Sequence, residues 1–88
     1  MSEFRFDLKP GALGELCKRL PQLLEQGKAN DILIAAHAVN GELSGTFTGR
    51  ICGTFRVTLR EAIVNVTKKP ILATEGMIRS RLASLFSL

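Results

Sequence analysis

An α+β fold is what this sequence predicts: an antiparallel meander sheet with two amphipathic helices on one face, in the order β-α-β-β-β-β-α. Three observations predict it. Apolar and polar residues alternate with period two in several short stretches, the signature of half-buried strands. Two other stretches repeat apolar residues at three- and four-residue steps, which places them on one stripe of a helix. Finally, Asn40-Gly41 joins two strand-like runs at hairpin spacing; Asn-Gly supplies the two positive φ angles of a type I′ turn.

The elements follow in order. In residues 3–8, Phe4, Phe6 and Leu8 alternate with Glu3, Arg5 and Asp7, giving a first strand. Lys9-Pro10-Gly11 stops it, because proline donates no ladder hydrogen bond and glycine favours a turn. Leu13, Leu16, Cys17, Leu20, Leu23 and Leu24 then form the stripe of a first helix, with Cys17 counted among its core residues. Pro21 falls inside it, where proline costs about 3 kcal/mol, so a kink or a split into two helices is expected. Gly27 is placed to end the helix in a left-handed conformation. The run Ile32 to Val39, apolar except for His37, reads as a buried strand once the Asn-Gly turn fixes its partner, Glu42 to Thr48. Gly49 to Gly53 forms a glycine-bounded connection or a bulged strand entry, and Gly45, Gly49 and Gly53 read as bulge or bend positions. Phe55, Val57 and Leu59 define the next strand, Ala62, Val64 and Val66 the last, with a turn near Arg60-Glu61. Lys68-Lys69-Pro70 ends that strand, and Thr74 caps a closing helix whose inward stripe is Ile78, Leu82, Leu85 and Phe86.

Composition bounds the remainder. At 88 residues the chain suits one domain, 1–88, with no repeat, linker or low-complexity segment. Hydrophobic residues at 45% and charged residues at 23% argue against wholesale disorder. No apolar run reaches the roughly 18 residues of a membrane span, and the first residues lack a signal peptide's apolar segment. A cytoplasmic setting with reduced thiols is expected. Charge is uneven: residues 1–49 carry five Lys/Arg against six Asp/Glu, and residues 50–88 carry seven against two, so −1 and +5 give the net +4. The positive half is suited to an anionic partner.

Catalytic chemistry finds little footing. His37 is the only histidine and sits in an apolar run, without a local nucleophile and orienting group. Cys17 and Cys52 are too few and too far apart in sequence for a disulfide framework or a zinc cluster. The carboxylates are scattered singly, offering no acid/base pair. Gly49-Arg50-Ile51-Cys52-Gly53-Thr54 lacks both the spacing and the lysine of a phosphate-binding loop. No catalytic residue, metal or cofactor is therefore assigned.

Two interaction surfaces compete. Arg56 and Arg60, with Thr54 and Thr58, fall on one face of a strand, and Lys68 and Lys69 lie beside it. That basic, hydroxyl-rich face can grip phosphates, although the chain has no Trp or Tyr for base stacking. Against it stand Leu20, Leu23 and Leu24 of the first helix and Leu85 and Phe86 of the second, large apolar groups in a small domain. Either they all enter the core, or a spare face takes a second copy, an apolar surface or a small apolar ligand.

The stretch Thr48-Gly49-Arg50-Ile51-Cys52-Gly53-Thr54-Phe55-Arg56-Val57 resembles small bacterial polyhydroxyalkanoic acid system proteins. So do Ile63-Val64-Asn65-Val66 and the closing Gly76-Met77-Ile78-Arg79-Ser80-Arg81-Leu82-Ala83-Ser84-Leu85-Phe86. Leu13-Gly14 echoes the family's opening, but Gly11 stands where the family has a histidine and Pro21 interrupts the following helix. These are packing and turn residues. The resemblance implies a non-enzymatic bacterial accessory protein at a granule surface and carries over no catalytic residue. With the spare leucines it leads to the expectation of a self-associating protein that offers an apolar helix face to a polyester surface or a protein partner. The rival is a nucleic-acid-binding module using Arg56, Arg60, Lys68 and Lys69.

Overall fold

A computed structural model describes the backbone of residues 2–86 and the side chains of residues 2–84. The strands are β1 (Ser2–Asp7), β2 (Ile32–Val39), β3 (Glu42–Gly49), β4 (Cys52–Val57) and β5 (Glu61–Lys68); the helices are α1 (Ala12–Ala29) and α2 (Glu75–Phe86). All five strands pair antiparallel in the spatial order β1-β5-β4-β3-β2. Four consecutive strands thus form a meander, and β1 closes it by pairing with the last. Helix α1 carries the chain from one edge strand to the other. At about 1.5 Å per residue it is roughly 27 Å long, enough to cross five strands about 4.8 Å apart.

The alternation in the sequence becomes two distinct sheet faces. On the covered face, Phe4 pairs with Val64, Val64 with Phe55, and Phe55 with Gly45; Phe6, Ala62, Val57 and Leu43 form the neighbouring row. Leu13 and Leu16 of α1 pack on Leu43, Val57 and Ala62, while Ile78 of α2 packs on Phe4, Val64 and Val66. Phe47 and Phe55 turn inward, half-buried, against the second of these clusters. The glycines opposite them are matched in size. A Cβ on Gly53 would lie 2.6 Å from the Phe47 Cζ and 2.1 Å from the Asn65 carbonyl oxygen, so the ring occupies the space a side chain would take.

Asn40 and Gly41 both have positive φ and close the β2–β3 hairpin at Val39 and Glu42. Thr74 caps α2, its hydroxyl accepting from the Met77 N–H at 3.2 Å. The irregularity in the β4–β5 ladder falls between Cys52 and Gly53.

Five expectations are corrected. Strand β2 is not buried: it is an edge strand with no neighbour beyond it among the described residues, and Leu33, Ala35, His37, Ala38 and Val39 are exposed. Helix α1 is not split at Pro21 but continues through it as one element, and Pro21 and Cys17 are both exposed. The carbonyl that proline leaves unpaired, at Cys17, therefore lies on the watered side of the helix. Cys17 is not core, because it sits just off the line of Leu13, Leu16, Leu20 and Leu23 that faces the sheet. Gly27 does not end α1; it is buried inside the helix, which runs to Ala29. Leu59 is not in a strand: β4 stops at Val57, and Leu59 is 74% exposed in the turn that the Thr58 N–H closes onto the Glu61 carbonyl at 2.9 Å.

The two glycines of α1 make opposite predictions. Nothing lies within 4 Å of a Cβ on Gly14, whereas one on Gly27 would be 2.8 Å from the Ile32 carbonyl oxygen. Gly14→Ala is expected to stabilise by about 0.5–1 kcal/mol through helix propensity. Gly27→Ala loses that gain and more, because the helix must retreat from β2. Thermal unfolding of the two variants checks this: Gly14→Ala should raise the midpoint by a few degrees and Gly27→Ala should lower it.

Candidate interaction surfaces

The face of the sheet away from the helices is uncovered by any described element. Across its middle runs the row Arg5, Ile63, Arg56, Ser44 and His37, one residue from each strand. Its cations are matched locally. Arg56 donates to the Glu42 carboxylate from Nε at 3.0 Å and Nη2 at 2.8 Å. Arg5 contacts Glu61 at 3.2 Å and Glu3 at 3.4 Å. Each such pair at a surface contributes up to about 1 kcal/mol, but together they cancel the field that would attract a phosphate chain.

The four residues read from sequence as an anionic-partner patch do not converge. Arg56 is mid-sheet and paired. Arg60 lies beyond the strand, in the Leu59–Arg60 turn, and so does not share a strand face with Arg56. Lys68 and Lys69 sit at the other end of β5, roughly 25 Å away along a strand of about 3.3 Å per residue. Strand alternation placed the arginines together, and the early end of β4 separates them.

His37 and Ser44 face each other on this surface, Nε2 to Oγ 3.4 Å, with His37 exposed. The contact is long, and no third group among the described residues orients the imidazole. A catalytic pair of this kind is characterised by a shorter contact and a third, orienting group. A groove between α1 and α2 is lined by Leu16, Arg19, Gln22, Leu23, Gln26 and Ser84, a mostly polar set unsuited to a small apolar ligand. Among the described residues no three His, Cys, Asp or Glu side chains cluster as metal ligands.

The apolar helix face is also redistributed. Leu20 and Leu23 pack against the Leu13–Leu16–Leu43–Val57 cluster, and Leu24 is half-buried. Leu20 and Leu23 thus contribute to the core while remaining partly exposed. The side chains of Leu85 and Phe86 lie outside the described residues.

The two most exposed large apolar side chains among the described residues are elsewhere. Ile71 is 100% exposed and Leu72 89%, in the turn between β5 and α2, and Met77 at the start of α2 is 60% exposed. The root of this turn is well held. Ala73 N–H donates to the Pro70 carbonyl at 3.0 Å, and the Lys69 ammonium donates to the Ala73 carbonyl at 3.0 Å. Ser2 hydroxyl donates to the Glu75 carboxylate, tying α2 to β1. A short, anchored tip thus holds Ile71 and Leu72 outward, with Lys68 and Lys69 behind them. Period-two and helical patterns carry no weight in a turn, which is why the sequence reading passed over Ile71 and Leu72. The available signal was two large aliphatics directly after a proline that ends a strand.

No helix among the described residues is long and apolar enough to cross a membrane. No family model, curated protein or solved structure matches this chain.

Proposed function

We propose that this protein is a small non-catalytic accessory protein that adsorbs to an apolar polyester surface through the tip Ile71-Leu72. The single observation that carries the reading is the near-complete exposure of those two adjacent aliphatic side chains on an anchored turn. Water pays nothing back for holding them there: burying each is worth about 1.5–3 kcal/mol. Two adjacent aliphatic side chains projecting from a turn suit insertion into a soft surface. Lys68 fits the boundary, since a long cationic chain lies along apolar material and keeps the ammonium in water, while Lys69 holds the turn through the Ala73 carbonyl. The resemblance of residues 48–57, 63–66 and 76–86 to polyhydroxyalkanoic acid system proteins supports polyester as the surface. The contact is assigned to the turn rather than to the helix leucines, because Leu20 and Leu23 already serve the core. The nucleic-acid reading is disfavoured by the pairing of Arg56 and the dispersal of Arg60 from Lys68 and Lys69.

Salt separates the two. Sedimentation with amorphous polyester particles should retain the protein from low salt to about 1 M, where exposed charges are screened within about 3 Å. Binding that disappears steeply with salt, or binding to single-stranded nucleic acid but not to particles, would overturn the proposal.

A further inference from the structure

We infer that two copies of this chain associate through their β2 edges, antiparallel about a twofold axis at Ala36, into one continuous ten-stranded sheet. This is independent of the surface reading, which concerns the β5–α2 turn.

The two sheet edges are built differently. The outer strand β1 carries Glu3, Arg5 and Asp7 on its open face, the usual protection against pairing. The other outer strand, β2, has eight residues, Ile-Leu-Ile-Ala-Ala-His-Ala-Val, without a carboxylate, lysine, arginine or proline, and its pairing with β3 is regular throughout. The α1 backbone at Gly27 lies close to the Ile32 carbonyl at the start of this edge; from Leu33 to Val39 the edge carries none of these devices and is a template for another strand.

The hairpin fixes which backbone groups point outward. Because the two-residue turn closes at Val39 and Glu42, Val39, His37, Ala35 and Leu33 exchange hydrogen bonds with β3. The N–H and C=O groups of Ile34, Ala36 and Ala38 then face away from the sheet. Strand β2 can satisfy them with its own copy. Centred on Ala36, the register sets Ala36 against its twin and Ile34 against Ala38, each an outward-facing pair. The same register places Leu33 opposite Val39 twice on the open face, and these are the exposed large apolar side chains of β2, at 61% and 49%. A twofold axis closes the assembly after two copies. The edge is about 27 Å long. With the sheet side chains and the adjoining α1 layer it is roughly 20 Å deep, so the pair buries on the order of 1,000 Å², the lower bound of a specific interface.

Sedimentation velocity of the intact chain between about 1 and 100 µM should show a monomer–dimer equilibrium. Ala36→Pro removes only an outward N–H, a place where an edge strand tolerates proline, and should weaken the dimer by roughly 100-fold. Leu33→Lys sets a cation against Val39 on both sides of the axis and should do the same. Leu59→Lys, at a distant exposed turn, should leave the dimer intact. Should Ala36→Pro prove unfolded by circular dichroism, Leu33→Lys decides, together with concentration-dependent slowing of amide exchange at Ile34, Ala36 and Ala38. A chain monomeric throughout, a dimer indifferent to Leu33→Lys, or an open-ended oligomer would each overturn the inference.

Discussion

Replacing Ile71 and Leu72 together by serine should cut adsorption to polyester particles by about 100-fold while leaving the thermal midpoint within a degree or two of the parent. The two halves of that expectation have one cause. Ile71 is 100% and Leu72 89% exposed, so the folded chain loses no packing when they shrink. Surface changes of this kind usually alter stability by no more than about 0.5 kcal/mol. On the particle both side chains would leave water, at about 1.5–3 kcal/mol each. Realising about two thirds of that across the pair gives roughly 3 kcal/mol, or two decades in affinity. The converse control is Leu20→Ala. Its side chain packs on the core, so it should lower the midpoint without changing adsorption of the folded protein. If Ile71→Ser/Leu72→Ser adsorbs like the parent, the turn is not the contact.

Phe4→Ala is expected to be the most damaging single truncation, costing about 3–5 kcal/mol. A chain of this length has a total stability of roughly 4–13 kcal/mol, so the variant should unfold at or near ambient temperature, as urea or thermal denaturation would show. Phe4 is 2% exposed and lies where β1, β5 and α2 meet, against Val64, Val66 and Ile78. Few other elements hold α2 to the sheet, so the cavity would open on one side and the helix would lose its main support. Arg79 distinguishes burial from ring electrostatics. Its guanidinium carbon sits 5.1 Å from the Phe4 ring centroid and 5.7 Å from that of Phe6. An exposed cation–π contact is worth about 0.5–1 kcal/mol, so Arg79→Ala should cost no more than that. A Phe4→Ala variant as stable as Arg79→Ala would mean that α2 is held by something other than this apolar seam.

The strands and helices were legible because their signals are local. Phe4-Arg5-Phe6 alternates whatever surrounds it, and Asn40-Gly41 turns because of its own backbone preferences. The apolar stripe of α1 was legible too, but its edges were not. Cys17 and Leu20 are both apolar and three residues apart, yet one is exposed and the other packs on the core. The difference is a modest rotation about the helix axis, fixed by where β2 and β3 lie beneath it. Gly27 carries the same lesson: as a helix ender it would need a positive φ, but its role is to let the α1 backbone approach Ile32.

Which residues are greasy, which are charged, and at what interval they recur was written in the chain, and with it the element order and the inward face of the alternating strands; the nearly unbroken apolar run of β2 hid both its faces and its place at the sheet edge. Which charges meet was not. Arg56 finds Glu42, and Arg5 finds Glu61, only because the meander brings distant strands side by side. That pairing, rather than the +4 total, decides how much of the sheet's charge remains to attract a partner. The same holds for exposure: a side chain's polarity belongs to its residue, but whether water reaches it depends on neighbours that folding delivers from elsewhere in the chain.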